Sequence, residues 1–276
     1  MRMTRCFRQQ SRYCNVSLMS AKYRDIAADL RRRIEGGEWL PGSTLPGYAS
    51  LVQEYGVGRG VISKALEVLQ SDGLISVVKR KGIVVRERGA RHRVRGTLVT
   101  RSARGYVMPA ATSPDEPWQV HGTPTRATVP IPPRPAELLG VAPETPTLRR
   151  RRVTSPEGQP PFQLVDSWIH PTGVADAPRV ADRDTGPGGY LDRLEEAGHG
   201  PLSWVEYMRV RMPTPEEARQ VQMPATMPVL EVARVGTSAR TGAPIEVTMC
   251  VIPADRVEVV SELRRARSAQ WPRDTS

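Results

Sequence analysis

The sequence predicts an α+β protein in two parts. An N-terminal unit of three helices ends in a basic strand–turn–strand, and a larger C-terminal part is built on an antiparallel sheet. Three observations carry this reading. Between Tyr23 and Val85, apolar residues recur first at helical and then at strand spacing, with glycine and proline at the joins. Beyond residue 97, segments rich in alternating or β-branched residues follow one another with only short helical stretches between them. Residues 1–88 carry 16 Lys+Arg against 8 Asp+Glu and residues 89–276 carry 24 against 21, so most of the net charge of +11 lies on the smaller part.

The first helix is marked by Tyr23, Ile26, Ala27, Leu30 and Ile34 on one face, and Gly36-Gly37 stops it. Ser43-Thr44-Leu45-Pro46 is extended, because a proline disfavours a helical residue before it and fixes its own φ. A short helix from about Tyr48 to Tyr55 buries Leu51 and Val52 and ends at Gly56, the residue type that best takes a left-handed C-cap. A third helix starts near Gly58. Its Ile62, Ala65, Leu66 and Leu69 repeat at i, i+3, i+4 and i+7 and face inward, which turns Arg59, Gly60, Ser63 and Lys64 outward. Two strands follow, joined by Lys79-Arg80-Lys81-Gly82.

This order of elements is that of a winged helix-turn-helix, in which the third helix enters the major groove of DNA and the wing lies along the backbone. Arg59 at the helix start can pair with both acceptors of a guanine, whereas Ser63 and Lys64 suit phosphates. The cations Lys79, Arg80 and Lys81 beside Gly82 fit close approach to the phosphate backbone. A basic loop is often no more than a solvated face; here it closes a complete three-helix pattern.

At these residues the chain resembles the GntR family of bacterial transcription regulators. The resemblance rests on Tyr23-Arg24-Asp25-Ile26-Ala27-Ala28-Asp29-Leu30 with Ile34-Glu35-Gly36-Gly37 and Leu40-Pro41-Gly42-Ser43-Thr44-Leu45-Pro46. Glu54-Tyr55-Gly56-Val57, Lys64-Ala65-Leu66 and Asp72-Gly73-Leu74-Ile75 continue it. Arg59 and Gly82 keep the family pattern. Ala49 replaces a usual arginine, Gly60-Val61 replaces threonines, and Ser63 replaces a further arginine, so the resemblance carries the fold but not the operator sequence.

A linker is expected at 87–96. Beyond it, strands are expected at 125–132, 147–155, 162–169, 203–212, 229–238 and 245–252, with helices at 135–139, 189–197 and 214–222, the last capped by Thr214. Residues 97–265 resemble the UTRA ligand-sensing domain, related in fold to chorismate lyase, of the HutC subfamily. The matching residues include Arg150-Arg151-Arg152-Val153, Glu157-Gly158-Gln159-Pro160, Leu164-Val165-Asp166-Ser167-Trp168-Ile169 and Gly242-Ala243-Pro244-Ile245-Glu246. The resemblance implies a small-molecule effector, a homodimer on an inverted-repeat operator, and repression relieved by the ligand.

On a strand, Arg150 and Arg152 point to one face and Arg149 and Arg151 to the other, so one pair is placed to hold a carboxylate or phosphate. The resemblance implies that role for arginines of this strand, with Asp166, Ser167 and Glu246 around the same pocket. The alternative is that both pairs are solvated or ion-paired. Trp118, Trp168 and Trp204 read as core or dimer contacts.

A chain of 276 residues suits two domains, here 21–86 and 97–265, with an extension expected to be disordered at 1–20 and a flexible tail at 266–276. No apolar run approaches the roughly 20 residues of a membrane span. Cys6, Cys14 and Cys250 suggest neither a disulfide framework nor a zinc site, which fits a cytoplasmic protein. His92, His121, His170 and His199 lack paired metal-ligand spacing, and no nucleophile or phosphate-loop motif occurs, so neither a cofactor nor an enzyme is expected. Two other readings stand beside the effector-controlled repressor. One is a ligand-independent plasmid-maintenance or architectural repressor whose C-terminal domain only dimerises; the other is a lyase-like enzyme.

Overall fold

The computed structural model describes residues 22–78, 81–86, 92–95, 99–102, 105–108, 117–261, 263 and 265–269. The N-terminal extension, wing residues Lys79 and Arg80, the proline-rich stretch 109–116 and residues 270–276 therefore lie outside the described residues. The chain divides into two compact units. One joins Met1–Arg88 to Met212–Met227, and the other comprises Gly89–Arg211 and Pro228–Ser276.

In the first unit, helix α1 covers residues 22–35. Helices α2 (Tyr48–Tyr55) and α3 (Arg59–Ser71) follow, then strands β1 (Ile75–Val78) and β2 (Gly82–Val85). Leu30, Leu51, Ile62, Leu66, Leu69 and Ile75 are fully buried and form one core. Gly56 takes the left-handed conformation that ends α2 (φ 60°), so the chain can turn at once into α3. Strands β1 and β2 pair antiparallel, with Ile75 opposite Val85 and Val78 opposite Gly82. The extended segment at Thr44 adds to this sheet through Leu45 N–H to Ile83 O (2.7 Å) and Val85 N–H to Ser43 O (2.8 Å).

A polar clasp joins α1 to α2. The Tyr55 hydroxyl donates to Asp29 (2.7 Å), and Arg33 donates to Tyr55 (3.0 Å), Glu54 (2.6 Å) and Glu38 (2.7 Å) while its guanidinium lies 4.5 Å from the Trp39 ring centroid. Burial, with the Asp29 hydrogen bond, pushes the Tyr55 hydroxyl up to about 12.

The second unit begins with β3 (His92–Arg95), β4 (Thr100–Ser102), β5 (Gly105–Val107) and β6 (Trp118–Pro130), then α4 (Pro133–Leu139), β7 (Pro146–Pro156) and β8 (Gln163–Ile169). It continues with α5 (Pro171–Asp176), α6 (Gly189–Leu194), β9 (Ser203–Arg211), β10 (Val229–Thr237), β11 (Pro244–Pro253) and β12 (Val257–Val260). Six strands form one antiparallel sheet in the order β6-β7-β8-β11-β10-β9. All six segments expected from the sequence are present. On one face of the sheet, Ile131, Ala136 and Leu139 of the α4 region pack on Trp168, Ala233, Val235 and Val247. On the other, Val180 and Leu194 pack on Leu148, Ile169 and Ile245.

The expected linker at 87–96 is not wholly irregular, because β3 pairs in parallel with β12, His92 opposite Val257. Four residues with a partner more than 160 positions away give no local periodic signal. The hairpin β4–β5 was likewise unmarked by alternation.

The segment Met212–Met227 carries α7 (Pro215–Gln220), started by a full capping box between Thr214 and Glu217. It groups with the first unit rather than with the strands that flank it in sequence. Met227 fills the space beside Gly73, where a Cβ atom would lie 1.8 Å from the Met227 methyl carbon, and its sulfur accepts from Arg86 (3.3 Å).

Candidate functional site

The candidate DNA-facing surface is the start of α3. Gly58 caps the helix without a side-chain hydrogen bond, and no acidic residue occupies the first turn, so the end offers free N–H groups and a partial positive charge to an anion. Ile62, Ala65, Leu66 and Leu69 are buried, while Arg59, Gly60 and Lys64 are exposed and Ser63 is half-buried, donating to Glu67 (3.3 Å). Val61 turns inward and joins the core, so of the Gly60-Val61 departure only Gly60 meets solvent. Nothing lies within 4 Å of a Cβ built at Gly60.

The Arg59 guanidinium lies 5.4 Å from the centroid of the Tyr48 ring, a cation–π contact that holds the side chain at the joint of α2 and α3. Tyr48 was not a candidate from the sequence, because its proximity to Arg59 depends on the angle between two helices. In the wing, Lys81 and Gly82 are exposed and Gly82 adopts φ 91°, which suits a residue without a side chain.

The second site is a cavity of about 290 Å³ on the sheet face of α6, lined by residues that include Arg150, Arg152, Tyr190, Arg234, Glu246 and Thr248. Strand alternation puts Arg150 and Arg152 of β7, Ser167 of β8, Glu246 and Thr248 of β11, and Arg234 of β10 on the same face. Hairpin β4–β5 is tied to the α6 region. Arg101 pairs with Asp192, the Tyr106 hydroxyl donates to Glu195 (2.5 Å), and Gly105 sits where a Cβ would come 2.8 Å from the Gly188 carbonyl oxygen.

The polar floor of the cavity is a connected set. The Thr248 hydroxyl donates to Glu246 (2.9 Å), the Tyr190 hydroxyl lies 3.3 Å from Glu246 and 3.1 Å from Thr248, and Ser167 bonds Thr248 from below (2.9 Å). Burial raises the Glu246 carboxyl above its ordinary value, with the hydrogen bond from Thr248 and the charge of Arg234 acting the other way. Burial also pushes Tyr190 up to about 12. Arg234 is itself paired with Glu206 (2.6 Å).

The two candidate arginines differ. Arg150 donates to the carbonyl oxygens of Val180 (2.7 Å) and Asp182 (2.6 Å), which fixes its position without neutralising its charge. Arg152 has neither a carboxylate nor a carbonyl partner among the described residues. The cavity therefore presents the charges of Arg150 and Arg152 beside the hydrogen-bonding groups of Tyr190, Glu246 and Thr248, and its chemistry is that of binding an anion that also bears hydroxyl or similar groups.

Asp166 is not part of this cavity. It lies on the opposite face and is held by Arg151 through two bonds of 2.7 Å, one from Nε and one from Nη2. Asp166 and Ser167 are adjacent on one strand and so cannot face the same side, a constraint already present in the sequence. Thr248, two positions from Glu246, was accessible by the same rule, whereas Tyr190 and Tyr106 arrive from separate elements. Trp168 is core, Trp118 stacks edge-on against Phe162 (5.9 Å), and Trp204 meets Tyr106 edge-on (5.1 Å).

A winged helix-turn-helix on one unit and an anion-ready cavity on the other define a ligand-sensing DNA-binding regulator. Residues 22–85 match the bacterial regulatory proteins of the gntR family and residues 125–258 match the UTRA domain, so the chain is a GntR-family transcriptional regulator with a UTRA effector-binding domain. A crystal structure described as a GntR-family transcriptional regulator is 27% identical with a TM-score of 0.51, covering 89% of this chain and 98% of that one. The uncharacterised HTH-type transcriptional regulator YdfD of Bacillus subtilis is 41% identical over 64 residues, 23% of this chain but only 13% of that protein. An uncharacterised HTH-type transcriptional regulator of Streptomyces coelicolor is 24% identical over 222 residues, 77% of this chain and 82% of its own length.

Proposed function

We propose that this protein is a repressor in the cytoplasm that binds an inverted-repeat operator as a homodimer and releases it when an anionic small molecule enters the UTRA cavity. The observation that carries this reading is Arg152, a cation that lines a cavity with no hydrogen-bond or ion-pair partner among the described residues, beside an Arg150 held by carbonyl oxygens and the Tyr190 ring but by no carboxylate. Unneutralised charge at a partly buried site is costly, and an anionic ligand offsets that cost. The protein acts by binding rather than by catalysis, in line with its regulator relatives.

One covalent route from cavity to DNA is the span at 87–96. A dimer on DNA must hold its two recognition helices about one helical turn apart. Strand β3 of that span is paired with β12, so a change in the sheet unit on ligand binding bears on the point from which each DNA-binding unit is held. A ligand shifts such an equilibrium only by its difference in affinity for the two arrangements.

Footprinting on the DNA upstream of the protein's own gene, with a panel of phosphorylated and carboxylated metabolites, tests the proposal. The expected result is a protected inverted repeat released by an anionic compound, with Arg152→Gln still protecting but no longer responding. Protection that no compound disturbs points instead to the ligand-independent repressor.

A further inference from the structure

A second space borders the effector cavity. It is a cleft of about 220 Å³ whose lining includes Arg126, Arg150, Arg152 and Arg183, and Arg150 and Arg152 line both spaces. Arg126 of β6 stands directly opposite Arg150 of β7 in the antiparallel register, so the two share a sheet face with Arg152. Like charges directly opposite one another destabilise a strand pair. A carboxylate between them is the ordinary remedy, and none is supplied: Arg126, Arg152 and Arg183 make no ion pair among the described residues. Of the two carboxylates that flank Arg183, Asp182 lies 4.0 Å from Arg179 and Asp184 accepts from the Gly186 N–H (2.8 Å). Burial, together with the charges of Arg152 and Arg126, holds the Arg150 pKa below its ordinary value, while Tyr190 and Asp182 act in the opposite sense.

Arg151 and Arg234 also line these spaces but are paired with Asp166 and Glu206, and the four cations without a carboxylate partner among the described residues exceed what one small anion needs. The geometry points to an effector with two anionic groups, one in the cavity against Arg152 and the other in the cleft between Arg126 and Arg183, with Arg150 serving both. Strand neighbours start about 5 Å apart and residues two apart on one strand about 7 Å, so the two groups are separated by roughly 5 to 8 Å. A compact bisphosphate meets that spacing. The inference rests on the effector role proposed for the cavity and adds a second contact to it.

The test is calorimetric titration of the full chain with inorganic phosphate, fructose 6-phosphate and fructose 1,6-bisphosphate as probes. The bisphosphate is expected to bind about tenfold or more tighter than the monophosphate, the gain of one further charge-assisted contact. Arg126→Gln combined with Arg183→Gln, both at exposed positions, removes that margin and leaves monophosphate affinity unchanged, whereas Arg152→Gln weakens both sugars. Equal affinity for the two sugar phosphates, or a margin that survives in the double variant, overturns the second subsite and leaves the cavity reading standing. If none of the three probes binds, the anion-binding reading of the cavity falls together with the subsite.

Discussion

Glu246 and Glu231 occupy the same sheet, and their surroundings move their carboxyl pKa values in opposite directions. Burial raises Glu246, so the stability contributed by its protonated form is complete below the ordinary glutamate value and is lost as pH rises through the higher folded value. Burial alone would raise Glu231 as well, but the hydrogen bonds from Arg209 and Arg211 outweigh it and hold Glu231 low, so its contribution is lost as pH falls. Glu246→Gln keeps the shape and removes the titration. Its unfolding temperature is expected to exceed that of the wild type by a few degrees at pH 8 and to converge with it near pH 4.5, as followed by calorimetry. A constant difference across that range would show that Glu246 is ionised in the cavity throughout. On the DNA side, Arg59→Ala is expected to weaken operator binding by about 1 to 3 kcal/mol and to relax preference at a single base pair, read by anisotropy on operator variants. A uniform loss over all sequences would make Arg59 a phosphate contact. The outward set of α3 and the Arg150/Arg152 pair were legible because periods of 3.6 and 2 fix direction from sequence alone. Asp166 was misplaced for want of applying the same rule, and Tyr48 was out of reach because its partner depends on tertiary packing.

Elements of the sheet were readable wherever both strand length and composition were strong. Strands β10 and β11 are buried on both faces and rich in β-branched residues, β7 and β8 are long and bounded by proline and glycine, and the predicted bounds of all four agree with the structure to within one or two residues. The three- and four-residue strands β3, β4 and β5 lie in a segment rich in arginine and glycine: β3 is a strand only through its distant partner β12, and β4 and β5 form a hairpin too short for alternation to show. Helix α3 offers a test in which stability and function move in opposite directions. Gly60→Ala adds a helix former into open space and is expected to stabilise by up to about 1 kcal/mol, while the new methyl weakens DNA binding if the helix start approaches the backbone closely. A higher unfolding temperature with unchanged DNA affinity would place Gly60 away from the DNA. Neutralising Lys79, Arg80 and Lys81 together is expected to weaken binding to all DNA and to lower the slope of log affinity against log salt by about 2 to 3. An unchanged slope would remove the wing from the phosphate contacts.

For the whole molecule, the proposed function gives the charge on residues 1–88 and the cations of the cavity different anions to meet: one a polymer of phosphates, the other a small ligand. Coupling between them is a free energy shared by two binding events, and it is reciprocal. An anion that weakens operator binding by a given factor must itself bind the operator-bound protein more weakly by that same factor. The decisive measurement is therefore the affinity of the footprint-releasing anion for the full chain, taken once with the free protein and once with the protein saturated by its operator. The account predicts a weaker affinity on the operator, by on the order of 5- to 150-fold. Equal affinities in the two states would contradict it, because a ligand indifferent to DNA cannot release it.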